Sequence, residues 1–364
     1  MVTIDARTFG PTGLGTYVRD LLENLASTDH EFRFRVLCAK PESMAGNPAE
    51  KFEFVRATAP IYSLKEQWET ARLARGGDLL HCPHYNIPYF YRDPLVVTIH
   101  DLTHLTYREF LPNRLAGYYA QFMLRAAARH ARQIITVSQF SKKSICSVLH
   151  VPEAKVHAIL FGPQERLLRR GAPNMRLLES LKISKSYLLF TGLLKPHKNV
   201  QGLLRAFASL PTQLLESNQL VLAGKLDSFY PTLRDLARKL SLKDKVVFTG
   251  HVSDDELHAL YAGATAFVLP SLNEGFGLPV LEAMAYGLPV IVSNTSSLPE
   301  VAGNAGVLVD PLDPASIARG IEKVLSDEAL RRVLSERSRE RARQFSAREF
   351  AMRHLEVYRM ALDA

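Results

Sequence analysis

The stretch Pro270-Ser271-Leu272-Asn273-Glu274-Gly275-Phe276-Gly277-Leu278-Pro279-Val280-Leu281-Glu282-Ala283-Met284-Ala285-Tyr286-Gly287-Leu288-Pro289 reads as the end of a buried strand, a glycine-containing loop and a short helix. Pro279 suits the first helical turn, where its missing N–H has no intrahelical partner to lose. Gly287 suits the left-handed position just past the helix end, and Pro289 keeps the helix from resuming. A helix starting here presents the backbone N–H groups of Gly275, Phe276, Gly277 and Leu278, an arrangement suited to an anion such as a diphosphate. Glu274 lies in the loop and Glu282 one turn into the helix. One carboxylate can accept from two vicinal hydroxyls, so this pair could grip a sugar and a ribose on either side of a diphosphate. The plainer alternative is that both acids only complement the helix dipole.

Working outward, the same strand–loop–helix alternation fills the chain of 364 residues. Short apolar strands are expected at 2–6, 32–39, 79–81, 95–100 and 133–138, then at 187–191, 220–223, 246–250, 265–270 and 289–293. Helical spacing appears at 16–25, where Tyr17, Leu21, Leu22 and Leu25 share a face, at 113–132, and again at 200–210, 230–240, 254–262 and 347–360. Such alternation predicts an α/β fold with parallel sheets. The pattern breaks at 161–186, where Gly162-Pro163 and Gly171-Ala172-Pro173 flank an Arg-rich piece. The expected domains are therefore 1–165 and 180–345, with a ligand cleft at the carboxyl ends of the strands.

Composition narrows the function classes. Apolar residues are 47% and charged residues 23%, as in a globular protein rather than a disordered one. The net charge of +8 favours anionic partners. No basic stripe with interleaved aromatics and no known binding motif argues for nucleic acid. The three cysteines, Cys38, Cys82 and Cys146, form no C-x-x-C and point to a reducing compartment. No leader-like start and no apolar run of roughly 20 residues is seen, so a cytoplasmic location is expected.

Four further motifs sit at strand ends, where parallel α/β proteins place functional groups. Phe190-Thr191-Gly192-Leu193-Leu194-Lys195-Pro196-His197-Lys198-Asn199 joins a strand to a helix, and a Lys there can neutralise a diphosphate leaving group. Gly13-Leu14-Gly15-Thr16-Tyr17 follows the first strand. It lacks the third glycine of a dinucleotide fingerprint, and no acid follows the second strand, so NAD binding is not expected. Its glycines could equally serve a turn with positive φ. His100-Asp101 ends another strand. His81-Cys82-Pro83-His84 invites a metal reading, but its spacing matches no common zinc site.

These motifs resemble the E-x7-E signature and phosphate-binding loops of retaining glycosyltransferase family 4, which has the GT-B fold of two Rossmann-like domains; the overall pattern is similar to bacterial mannosyltransferases of polysaccharide assembly. The resemblance implies a donor site in the second half: Glu274 on the donor sugar, Gly275, Phe276, Gly277 and Leu278 on sugar and phosphate, Glu282 on the ribose. It implies Lys198 on the departing diphosphate, Gly15 beside the donor phosphates, His100 near the sugar ring, and an acceptor side with Tyr17 and Asp101. Many members carry an Arg directly after the glycine where this chain has Leu193, and Lys195 is the candidate substitute. No metal and no cofactor beyond the donor substrate is implied, and helix 346–364 is expected to cross back onto the first domain.

The resemblance leaves GDP-mannose as the leading donor with a UDP-sugar second, and a glycan or lipid-linked acceptor. A nucleotide-sugar epimerase and a non-catalytic sugar-nucleotide-binding subunit remain alternatives. Helix 113–132, with Arg114, Arg125, Arg129 and Arg132 among aromatics, reads as an ordinary amphipathic helix or as a peripheral contact with an anionic membrane.

Overall fold

The computed structural model describes residues 1–10, 12–41, 52–107, 113–162 and 173–364. The chain divides into two compact units, Met1–Gly162 with Ser346–Ala364, and Pro163–Phe345. Of the boundary motifs, Pro163, Gly171 and Ala172, with the Arg-rich piece between them, lie outside the described residues.

The first unit holds a seven-stranded parallel sheet. Its strands are β1 (Val2–Asp5), β2 (Phe34–Cys38), β3 (Phe52–Arg56), β4 (Leu79–Cys82), β5 (Leu95–Thr98), β6 (Gln133–Thr136) and β7 (Val156–Ala158), in the order β3-β2-β1-β4-β5-β6-β7. The second unit holds β8 (Ser186–Thr191), β9 (Asn218–Ala223), β10 (Val246–Gly250), β11 (Ala266–Leu269), β12 (Val290–Ser293) and β13 (Gly306–Val309), in the order β10-β9-β8-β11-β12-β13. All strand pairs in both sheets are parallel. The central strands are buried along their whole length, as expected when helices cover both faces of a parallel sheet. In each sheet the order reverses beside the first strand, between β1 and β4 and between β8 and β11. Loops leaving the carboxyl ends at such a point diverge and leave room for a ligand.

Local chemistry sets the helix ends. Thr12, Ser63, Asn113, Ser138 and Ser346 each cap a helix by accepting a backbone N–H, and Ser253 with Glu256 forms a capping box. Gly13-Leu14-Gly15, read as loop, instead starts the helix Gly13–Ser27. None of Gly10, Gly13 and Gly15 has positive φ. Gly15 is required for a different reason: a Cβ there would lie 2.2 Å from the Gly10 carbonyl oxygen. No helix among the described residues is long and apolar enough to cross a membrane.

The last helix, Ala347–Asp363, is tied into the first unit by a buried chain of hydrogen bonds. His354 Nδ1 lies 2.7 Å from the Phe350 carbonyl and therefore donates to it. Its Nε2 must then accept from the Tyr17 hydroxyl, at 2.7 Å. Tyr17 accepts from Thr98 Oγ1 (2.9 Å), Thr98 accepts from His81 Nε2 (2.9 Å), and His81 Nδ1 accepts from Tyr358 (2.8 Å). Tyr358 donates into the chain and each of the other four donates once and accepts once, which pairs five buried polar side chains without a charge. Burial holds His354 down at about 4 and His81 well below the usual histidine range.

The folded chain therefore refuses protons that the unfolded chain accepts, between the free-histidine value near 6.5 and the folded value of His354 near 4. Stability should be full above that window and fall as pH drops through it, by up to about 1.4 kcal/mol per pH unit for each histidine. Thermal unfolding across the window measures this, and His354→Gln, which cannot titrate, should show a shallower fall. A melting temperature that stays constant through the window would contradict it.

Candidate functional site

The loops leaving β8 and β11 carry the residues singled out in the second unit. Pro196–Lys198 is a single 3-10 turn, and Asn199 after it adopts the left-handed conformation at φ 54°. The Asn199 side chain accepts from Gly202 N–H, capping the helix Val200–Ala208. It also donates to the carbonyls of Pro270 (3.1 Å) and Pro311 (2.6 Å). Leu272 N–H donates to the His197 carbonyl at 2.8 Å. The turn with Lys198 is thus fastened directly to the loop with Glu274.

This fastening brings Lys198 Nζ to 2.6 Å and 2.7 Å from the two carboxylate oxygens of Glu274. Ser271 Oγ donates to the same carboxylate at 2.7 Å, and Glu274 itself is buried. The Ser297 hydroxyl bridges the carbonyls of Glu274 and Phe276, both at 2.9 Å, and so fixes the loop from below. Charge-assisted contacts of this length are the strong ones. Glu274 therefore has specific partners, which the dipole reading alone does not provide.

Gly277 caps the helix Leu278–Ala285 in the left-handed conformation at φ 97°, and Pro279 stands in its first turn. Past the end, Gly287 has φ 75°; its N–H bonds to Met284 and that of Leu288 to Ala283, the Schellman pattern. Glu282 is half-buried, and Tyr261 donates to it at 2.7 Å. Tyr261 accepts from or donates to Thr191 at 2.8 Å and stacks on Tyr286; with its proton on Glu282, it accepts from Thr191. Lys195 is half exposed and pairs with Asp227 at 2.8 Å, and Leu193 beside it is exposed. The helix starts beside the Lys198–Glu274 pair; in its first turn Pro279 has no N–H, and the N–H groups of Val280 and Leu281 both bond the Gly277 carbonyl.

In the first unit, His100 Nε2 lies 3.0 Å from the Pro83 carbonyl and so carries the proton, which leaves Nδ1 as the acceptor. Burial lowers its pKa, against the hydrogen bond to Pro83 and the charge of Asp101. Asp101 accepts from Thr103 N–H at 2.8 Å at the start of the short helix Thr103–Thr106. Tyr17, expected on the acceptor side, is a correction: it is fully buried, its hydroxyl spent on Thr98 and His354. Gly15 is buried against Gly10, as described above, and His104 bonds Tyr85 at 2.8 Å. His81 is likewise committed to Tyr358 and Thr98. No group of His, Cys, Asp and Glu able to hold a metal ion occurs among the described residues.

The sequence reading missed a charged cluster at the carboxyl ends of β1 and β4. Arg7 donates to both oxygens of Asp5 (2.8 and 2.5 Å) and to Glu66 (2.9 Å). Glu66 also accepts from Asn86 Nδ2 and Tyr62 N–H, each at 2.6 Å. Burial pushes the Glu66 carboxyl up, against the pull of Arg7. The strand-end position of Arg7 was a usable signal. The position of Glu66, in a helix that the sequence reading had not placed, was not.

Two Rossmann-like units, each an all-parallel sheet whose strand order reverses beside its first strand, have the architecture of the GT-B class. Residues 179–341 match the family described as Glycosyl transferases group 1, and residues 11–162 match Glycosyltransferase Family 4. The chain belongs to this glycosyltransferase family. It is 29% identical to the O-antigen chain mannosyltransferase B of Escherichia coli over 96% of both chains. It is 33% identical to an uncharacterized glycosyltransferase of Methanocaldococcus jannaschii over 79% of this chain and 76% of that one. Among solved structures, WaaG, a glycosyltransferase involved in lipopolysaccharide biosynthesis, shares the fold with a TM-score of 0.75 at 19% identity, over 98% of this chain and 99% of that one. Anabaena Alr3699/HepE in complex with UDP and glucose does so with a TM-score of 0.79 at 19% identity, over 98% of each chain.

A Cβ at Gly277 would meet Leu298 Cδ2 at 2.6 Å in a backbone conformation that L side chains avoid. Gly277→Ala should therefore destabilise the protein by about 1–3 kcal/mol. Denaturant unfolding measures it, and a change below about 0.5 kcal/mol, the range of an ordinary surface substitution, would contradict the strained turn.

Proposed function

We propose that the protein transfers a hexose, with mannose from GDP-mannose as the leading donor and a UDP-sugar as the second, to a glycan or lipid-linked acceptor in cell-surface polysaccharide synthesis, with retention of the anomeric configuration. The observation that carries this reading is the Lys198–Glu274 pair beside the start of the helix Leu278–Ala285. Mannose is supported by relatives that are O-antigen mannosyltransferases of Escherichia coli and of Salmonella typhimurium.

In this reading the diphosphate lies at the helix start, against the backbone of Gly275, Phe276, Gly277 and Leu278. The donor sugar places two hydroxyls on Glu274, and Glu282, oriented by Tyr261, takes the ribose. Lys198 moves from Glu274 toward the leaving phosphate, where negative charge grows as the C1–O bond breaks. Lys195 supplies the second cation in place of the Arg absent at Leu193. An oxygen of the leaving phosphate takes the acceptor hydroxyl proton, and the acceptor oxygen bonds to C1 on the face the phosphate vacates. His100, held neutral with Nε2 on Pro83, offers Nδ1 as an acceptor to the sugar hydroxyls, and Asp101 serves the acceptor. Cations and helix amides meet the leaving-group charge, so chelators should leave the rate unchanged.

Glu274→Ala should lower transfer on the order of a hundredfold or more, about 2.7 kcal/mol in the barrier, in a protein that still unfolds cooperatively but is less stable than wild type. Product analysis by proton NMR should show the donor's anomeric configuration kept. Transfer by Glu274→Ala within a fewfold of wild type would remove Glu274 from the site. Conversion of donor with no acceptor present would replace the transferase reading by an epimerase.

A further inference from the structure

The carboxyl ends of β1 and β4 border a notch of about 10 Å³, whose walls include Arg7, Thr8, Glu66, Pro83, His84 and Asn86. That volume admits about one water-sized group. The walls are polar and fixed. The side chains of Arg7 and Glu66 are 3% and 4% exposed, and Glu66 is held by Arg7, Asn86 and the Tyr62 N–H. Well-packed apolar side chains would close such a place at least as stably.

Two polar groups of these walls are left over. The Thr8 hydroxyl is buried and has no hydrogen-bond partner among the described residues. Arg7 spends its Nε and Nη2 protons on Asp5 and Glu66 and one Nη1 proton on the Ala59 carbonyl at 3.3 Å. The second N–H of Nη1 has no partner among the described residues. The cluster also carries no surplus of positive charge. Arg7 faces both Asp5 and Glu66, and burial, with the neighbouring His100 and His104, holds His84 neutral, down at about 3. A phosphate or a carboxylate would find neither the room nor the charge it needs here. A methyl group would bury the Thr8 hydroxyl for good. A single hydroxyl fits: it can accept from Arg7 and donate to Thr8. Pro83, in the same wall, accepts at its carbonyl from His100, the residue read above as meeting the donor sugar.

We propose that this notch seats one hydroxyl of the acceptor and selects a neutral sugar at that position, with Thr8 and Arg7 as specificity-determining residues. The assignment rests on the transferase reading. A lone water would fit the same space, and the test separates the two occupants.

Thr8→Val replaces a hydroxyl without a partner by a methyl group of the same shape, so thermal unfolding should be unchanged or raised. The probes are the methyl glycosides of mannose, glucose and galactose, read by saturation-transfer NMR on the full-length, nucleotide-bound protein. For the best of them, replacing one particular hydroxyl by hydrogen should weaken binding about tenfold or more. Thr8→Val should bind the parent glycoside and that deoxy analogue alike, Thr8→Ser should restore the difference, and the corresponding sugar phosphate should not compete. Nucleotide binding, measured on the same samples, should stay at the wild-type value, so a failure confined to the glycosides overturns the notch and leaves the donor site standing. A wild-type protein that binds no nucleotide would remove the transferase reading and this assignment with it. Absence of glycoside binding, a sugar phosphate that binds as well as the neutral sugar, or deoxy analogues that fare the same in wild type and Thr8→Val, as they would over a notch that holds water, would each overturn the proposal.

Discussion

The contact between Lys198 and Glu274 organises the second unit. A buried carboxylate is costly unless it is paired and hydrogen-bonded, and removing one partner leaves the other's desolvation uncompensated. Here both oxygens of Glu274 meet the Lys198 ammonium, and one also takes Ser271. For that geometry to exist, two loops far apart in sequence must end at the same place. The reversal of strand order between β8 and β11 brings them there, and Asn199 locks them together through Pro270 and Pro311. The left-handed Asn199 and Gly277 are the backbone conditions for the same arrangement.

The first unit solves a different problem with different chemistry. Its last helix arrives from the far end of the chain, and a neutral relay from Tyr358 through His81, Thr98 and Tyr17 to His354 fixes its register. Neutral donors and acceptors can be specific without the desolvation cost of ions, provided every one is matched. The charges of this unit sit instead at the carboxyl ends of β1 and β4, where Asp5, Arg7 and Glu66 share one guanidinium between two carboxylates. Tyr17 was read from the sequence as a ligand contact because it follows a glycine loop. Its burial shows that the helix turns that ring inward, where a hydroxyl was needed to complete the relay.

Much of this was legible beforehand, for physical reasons. Buried parallel strands announce themselves as short apolar runs, and β5, β8, β9, β11 and β12 lie within about two residues of the expected bounds, as does β10, an edge strand whose Val246-Val247-Phe248 is apolar although mostly half-buried. Of the strands missed, β3, β7 and β13 are all sheet edges. An edge strand has a partner on one side only and tolerates exposed positions such as Glu53 and Leu308, so it lacks a continuous apolar run. The loop–helix carrying Glu274 and Glu282 was legible because Gly277, Pro279 and Gly287 mark its turns locally. The supporting residues were not. Ser297, Tyr261 and Asn199 act through contacts spanning 21 to 112 residues, and no local spacing encodes those.

The central claim is that the helix start beside Lys198 and Glu274 is a nucleotide-diphosphate site, and calorimetric titration of the purified protein with GDP, UDP, ADP and dTDP tests it most directly. Selective binding of one nucleotide, lost in Glu282→Ala and tightened when the matching sugar is attached, is the result the account predicts. A folded sample that binds none of the four would contradict it.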